Sequence, residues 1–280
     1  MKTGRSRGCP KFEFSQEQLN EIHDLYESGL GIPSLMKKYN LSQSVFDRIF
    51  KENHWSKRKR SDYKKYTINE EYFDNIDTPN KAYIIGLLAA DGCNYVDRGE
   101  IRLSLQERDK SILYDINDEI QSNHPISIRH FSNPNWQDSY TLTINNLHIS
   151  QQLNNLGIIK NKSLNLDFPQ WITPELFPFY LKGYIDGDGW IQKYILGFMS
   201  SDKFCYGVCD YLLSNYKLDS KVMDMKRHYS QQTKTWYMCG KRNQQYLVEM
   251  MFSQPVLGIE RKNQKYYEFN YLDINNSLSA

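Results

Sequence analysis

Two aspartates carry the chemistry that this chain announces. Asp91 closes the apolar run Ala82-Tyr-Ile-Ile-Gly-Leu-Leu-Ala-Ala-Asp-Gly-Cys93, and Asp188 closes Tyr180-Leu-Lys-Gly-Tyr-Ile-Asp-Gly-Asp-Gly-Trp190, 97 residues later. Each run then leads, after about equal intervals, to Leu-Gly-Ile and a lysine. These are Leu156-Gly157-Ile158 with Lys162, and Leu257-Gly258-Ile259 with Lys262, 71 and 74 residues after the respective aspartate. Repetition in both spacing and residue type indicates two related halves. Within each run small residues stand four apart, Gly86 with Ala90 and Gly183 with Gly187, the spacing that lets helix backbones approach closely. Two such helices packed about a pseudo-twofold axis would bring Asp91 and Asp188 together. Paired carboxylates at the negative ends of two helix dipoles repel, so a positive partner is required, and a divalent metal with hard-oxygen preference is the natural one.

The segments that must hold these helices read as strands. Ile101, Leu103 and Leu105 alternate with Arg102, Ser104 and Gln106; Ile126 and Ile128 alternate with Ser127 and Arg129; Tyr140, Leu142 and Ile144 alternate with Thr141 and Thr143. One sheet face is therefore apolar and the other polar. The second copy offers strands over 194–198, 222–227 and 235–239 with looser alternation, and a helix is expected from Asp109 to Ile120.

Ahead of this body, residues 1–56 read as helices. Ser15 with Gln18 forms a capping-box pattern before Leu19, Ile22, Leu25 and Tyr26; Pro33 opens a short helix; Ser42 is expected to cap a third with Val45, Phe46 and Ile49 on its apolar face. Helix, short helix, turn and helix is the helix-turn-helix pattern, and Gln43, Ser44, Asp47 and Arg48 are the positions that would meet base edges. Lys57, Arg58, Lys59 and Arg60 follow in a basic linker over 57–66, suited to tracking phosphates. The charge division agrees: residues 1–66 hold 14 Lys and Arg against 8 Asp and Glu, whereas residues 67–280 hold 21 against 25.

At this point the residues Ile84-Ile-Gly-Leu-Leu-Ala-Ala-Asp-Gly92 and Leu181-Lys-Gly-Tyr-Ile-Asp-Gly-Asp-Gly189 resemble the two signature motifs of a single-chain LAGLIDADG homing endonuclease, with Ala89 where the family often has an acid. The resemblance runs over about residues 67–272. It implies an α+β fold of two pseudo-symmetric halves, 67–169 and 170–280, each α-β-β-α-β-β-α with an antiparallel saddle-shaped sheet over the DNA major groove. Ahead of them stands a small all-α helix-turn-helix domain. It further implies double-strand cleavage with Mg²⁺, for which Mn²⁺ would substitute. Asp91 and Asp188 would be the metal ligands, Lys162 and Lys262 the basic residues near the scissile phosphates, and Gln106 an organiser of the water network. Ser200 or Ser201 would be the counterpart of Gln106, and Arg261 competes with Lys262 for the second basic role. The polar strand faces would read the DNA through Arg102, Ser104, Arg129, Thr141 and Thr143 in one half. In the other half Lys193, Lys226, Arg227, Lys234 and Trp236 would do so.

Two further function classes stay open, a non-catalytic transcription regulator and an intron RNA maturase. Met1 at the start and an ending Ser-Leu-Ser-Ala without His-Asn are expected to exclude an intein. Five cysteines without a C-x-x-C pair indicate neither a disulfide framework nor a zinc finger, and no apolar run reaches the roughly 20 residues of a membrane helix. The expectation is a cytoplasmic monomer that binds duplex DNA, with intron RNA as an alternative partner.

Overall fold

The computed structural model describes residues 14–57, 66–133, 135–224 and 233–269. The chain separates into two compact units, Met1–Lys65 and Tyr66–Ala280. In the first, α1 (Gln16–Glu27), α2 (Ile32–Tyr39) and α3 (Gln43–Glu52) enclose Ile22, Tyr26, Leu35, Phe46, Ile49 and Phe50. The buried residues recur at helical spacing, so each helix contributes one stripe to a common core. The capping box forms as its sequence requires: Gln18 N donates to Ser15 Oγ at 3.2 Å and Ser15 N donates to Gln18 Oε1 at 3.0 Å. Asn40 ends α2 in the left-handed region, at φ 53°, which Asn tolerates and which turns the chain sharply into α3. Ser42 precedes α3 without capping it; its hydroxyl lies 2.9 Å from Ser44 Oγ instead.

The second unit is an α+β body of two halves with the same order of elements. The first runs α4 (Pro79–Asp91), β1 (Gly92–Tyr95), β2 (Glu100–Gln106), α5 (Ser111–Glu119), β3 (Ile126–Arg129), β4 (Ser139–Asn145) and α6 (Leu147–Asn155). The second runs α7 (Phe177–Asp188), β5 (Gly189–Gln192), β6 (Ile195–Ser201), α8 (Asp202–Tyr216), β7 (Lys221–Asp224), β8 (Thr233–Cys239) and α9 (Lys241–Met251), and α10 (Glu260–Glu268) follows. Both sheets are antiparallel, ordered β1-β2-β4-β3 and β5-β6-β8-β7. Gly92 pairs with Leu103 and Gly189 with Phe198, so the registers of the halves correspond position by position.

Alternation explains most of the burial. Ile101, Leu103, Leu105, Tyr140, Leu142 and Ile144 line the covered face of the first sheet, and Leu196, Phe198, Trp236 and Met238 that of the second. Ile128 departs from the expected pattern and is 47% exposed, because β3 is the outer strand of its sheet. β1 and β5 supply the first strand that the resemblance implies after each motif helix, although alternation does not place them: four residues beginning with glycine are too short to display a period. The 3-10 turn Glu107–Asp109 takes the first residue of the helix expected from Asp109, and α5 starts at Ser111. Among the described residues no helix is long and apolar enough to cross a membrane.

The two motif helices form the centre of the unit. Residues 82–89 of α4 and 177–186 of α7 are buried without a break, mostly apolar, as a helix enclosed by neighbours must be, with Lys182 and Asp186 the exceptions. A methyl group at Gly86 would stand 2.0 Å from the Tyr180 carbonyl oxygen, and one at Gly183 would stand 2.1 Å from that of Tyr83. Backbone therefore meets backbone, and only glycine fits at either crossing point. Gly183→Ala should destabilise the protein by about 3 kcal/mol or more, since the obstructing atom is a carbonyl that cannot rotate away. Gly157→Ala, at φ +91° with no atom within 4 Å of the new methyl, should cost only about 1–2 kcal/mol of backbone strain. Denaturant titration of both variants checks the ranking.

Candidate active site

Asp91 and Asp188 are the last residues of α4 and α7, and the glycine after each is extended and leads directly into β1 or β5. Close packing of the helices brings these ends side by side. Asp91 Oδ2 lies 2.9 Å from where a Cβ of Gly187 would stand, one residue before Asp188. Both aspartates are exposed residues at the helix ends, yet their carboxylates lose part of their hydration to the surrounding protein. Desolvation and the charge of Asp188 push the Asp91 carboxyl up to about 6. Desolvation also raises Asp188, against the pull of Lys162 and Lys262.

The two lysines sit at equivalent places. Lys162 Nζ donates to the Gly92 carbonyl, and Lys262 Nζ donates to the Gly189 carbonyl and, at 3.2 Å, to that of Ile185. Each thus reaches the residue just after its aspartate, from a different local structure: Lys162 opens a 3-10 turn and Lys262 lies in the first turn of α10. Both are buried, and burial lowers their pKa values, to about 8 for Lys262. Lys262, not Arg261, holds the second basic position. Arg261 instead grips Asp109 of the first half through two hydrogen bonds of 2.6 and 2.7 Å.

Gln106 ends β2 on the open sheet face and is exposed. Register assigns Ser201 as its counterpart, but that hydroxyl is buried, donates to the Leu166 carbonyl and accepts from Phe204 N at 3.1 Å as the cap of α8. Ser200 faces the other way and accepts from Tyr184 OH at 2.8 Å. The second half accordingly offers no open polar group at this point, and the halves differ.

One group of residues escaped the sequence reading. Asp186 is fully buried on α7, and its Oδ2 accepts from Tyr83 OH at 2.8 Å, Lys182 Nζ at 2.9 Å and the Ile259 backbone N–H at 3.1 Å. It ties the Leu-Gly-Ile segment, and so Lys262, to the motif helix. In the first half Asn94 of β1 holds the corresponding segment to the strand instead, donating to the carbonyls of Ser150 at 2.8 Å and Ile158 at 2.9 Å. The available signal was a Lys-x-x-x-Asp pair on an otherwise apolar helix, the spacing of facing charges.

Arg102, Ser104, Arg129, Thr141 and Thr143 share the open face of the first sheet. Arg102 is paired with Glu100 at 2.7 Å, Ser104 Oγ lies 2.8 Å from Thr141 Oγ1, and Arg129 lies over the Phe131 ring. Two residues of the second half do not stand where a DNA-reading face would need them. Trp236 is 0% exposed: its register partner is Phe198, on which its ring stacks at 4.8 Å, and its indole N–H donates to Ser220 Oγ. Lys234, two residues earlier, has the same parity and pairs with Asp224 on the covered side. Lys193 is exposed in the β5–β6 turn, whereas Lys226 and Arg227 lie outside the described residues. In the first unit Gln43 and Ser44 are exposed, Arg48 stands 4.0 Å from Glu52, and Lys57 pairs with Asp47 at 2.6 Å. Arg58, Lys59 and Arg60 also lie outside the described residues.

Among the described residues no cluster of three or more His, Cys, Asp or Glu side chains could hold a metal. The aspartate pair still suits one: two carboxylates with raised pKa values are offset only in part by Lys162 and Lys262, and hard cations complete their shell with carbonyls, water or phosphate.

No protein-family model and no curated protein matches this chain. Solved structures do resemble it. The homing endonuclease I-WcaI bound to its DNA recognition sequence aligns over 70% of this chain and 90% of its own, at 12% identity and a TM-score of 0.49. Mesophilic variants from the homing endonuclease I-DmoI align over 66% and 96%, at 15% identity and 0.46. Full-length DUF199/WhiA from Thermatoga maritima aligns over 75% and 68%, at 15% identity and 0.44.

Because Asp91 titrates higher in the folded chain than the roughly 3.9 of an unfolded aspartate, its favourable contribution is full below about pH 4 and is lost as pH rises through 6. Asp91→Asn should therefore raise the Tm near pH 7.5 by about 2–4 °C, allowing for screening on its open side, and give no gain near pH 3.5. Thermal melts across pH test the sign.

Proposed function

We propose that this chain is a site-specific DNA endonuclease of the LAGLIDADG kind, cutting both strands of a long duplex with Mg²⁺. The observation that carries this is the doubled arrangement at the end of α4 and α7: two aspartates side by side, each followed by a glycine carbonyl held by a buried lysine. A duplex lying along the open sheet faces would present one phosphate of each strand to this point. Asp91 and Asp188 would hold a divalent cation, which would supply Lewis acidity toward water and the scissile phosphate. The rest falls to the chain itself. Lys162 and Lys262 provide fixed cations a short distance from either scissile phosphate, Gln106 orders water in one half, and the strand faces hold the duplex in register. Water adds to phosphorus as the P–O3′ bond breaks, leaving a 5′ phosphate and a 3′ hydroxyl. The three-helix unit adds a flanking contact through Gln43, Ser44 and Arg48 of α3 and the basic linker.

On this reading Asp91→Asn and Asp188→Asn each abolish double-strand cleavage while duplex binding is kept or strengthened, because repulsion from phosphate falls. Mg²⁺ should raise the Tm of the unaltered protein and not that of either variant. Lys162→Met and Lys262→Met should each slow one strand more than the other, seen by end-labelling the strands separately. Specific binding without cleavage under any divalent metal would favour the regulator instead. Removal of residues 1–65 should lower affinity and flatten the salt dependence of binding; an unchanged salt slope would assign the helical unit another task.

A further inference from the structure

The two open sheet faces occupy equivalent places in the halves, yet they differ in chemistry. By register Arg102 corresponds to Gly197, Ser104 to Met199, Ser127 to Met223 and Thr143 to Tyr237. A guanidinium and three hydroxyls in the first half thus become bare backbone, two thioethers and a phenol in the second. The indole of Trp190 lies across Gly197, so closely that a Cβ there would meet its ring carbons at 2.5 and 2.7 Å. Met199 is 39% and Met223 53% exposed, an apolar surface left open among the described residues.

Charge narrows what could cover it. None of the described strand positions on this face is Asp or Glu, Lys221 stands on it beside Tyr237, and Lys193 is exposed at its β5–β6 edge. A second copy of the same face would set lysine against lysine, whereas a polyanion is attracted. Among base edges in the major groove, the apolar group is the 5-methyl of thymine. We propose, on the reading that these faces meet duplex DNA, that the second sheet recognises its half of the target through thymine methyl groups, contacted by Met199, Met223 and Trp190. The first sheet recognises the other half by hydrogen bonds. The target is then chemically lopsided, with thymines concentrated on one side of the cleavage point.

Selection of bound duplexes from a randomised pool by the full chain tests this. Thymine should be enriched in one half-site. Replacing those thymines by uracil, which keeps every base-pair hydrogen bond and removes only the methyl, should weaken binding about fourfold per contacted methyl. The same replacement in the other half-site should change little. Met199→Gln combined with Met223→Gln should erase the difference between thymine and uracil. Enrichment without thymine bias, or equal tolerance of uracil in both halves, would overturn the inference and leave DNA binding intact. Recovery of no preferred duplex would overturn the DNA reading together with it. A variant pair that changed only the sedimentation of the protein, and not its response to uracil, would give the face to a second copy of the chain.

Discussion

Gly86 and Gly183 allow the α4 and α7 backbones to touch, and nearly everything else in the second unit depends on that contact. The distance between the helices sets the distance between their C-terminal residues, and hence between Asp91 and Asp188. It also sets the angle at which β1 and β5 leave, because each begins with the glycine that follows an aspartate. A methyl group at either crossing would separate the carboxylates and splay the sheets together. Packing and the placement of the carboxylates are therefore inseparable at this point, as they must be where the paired residues lie on a pseudo-symmetry axis.

The electrostatics of the pair follow from the same geometry. Carboxylates drawn together at two helix C-termini destabilise one another, and burial adds to the effect. The lysines soften it without neutralising it, since their ammonium groups bond the neighbouring glycine carbonyls rather than the carboxylates. An apolar core surrounds these groups on the protein side, so the site is held by stability drawn from elsewhere in the fold.

How far the sequence could be read depended on whether a signal was local or repeated. The motif helices and the two aspartate–lysine pairs were legible because each occurs twice at matched spacing. The strands of the first half were legible because alternation is strict from Ile101 to Gln106. Trp236 was misplaced because Lys234-Thr-Trp-Tyr carries no clear alternation, and its side is set only by pairing with Phe198 some forty residues earlier. Asp186 stands where the first motif has Ala89, and the partner that links it to Lys262, the backbone of Ile259, is 73 residues away. Arg261 and Lys262 are adjacent and both basic, and only the orientation of α10 separates a clamp on Asp109 from a residue of the site.

The clamp has a temporal side. Asp109 belongs to the first half and Arg261 to the segment after the second; Leu257 of that same segment likewise donates its backbone N–H to the Asn80 side chain of α4 at 3.0 Å. A chain emerging from the ribosome can assemble the first sheet and α4 early, but Gly86 then faces no partner until α7 has been made, and Asp109 has only the adjacent Arg108, at 3.9 Å, until Arg261 follows 152 residues later. The arrangement at the helix ends is thus completed only once the second half and α10 have been made, and a polypeptide that stops after the first half carries one aspartate and one lysine of the site and an uncovered apolar helix.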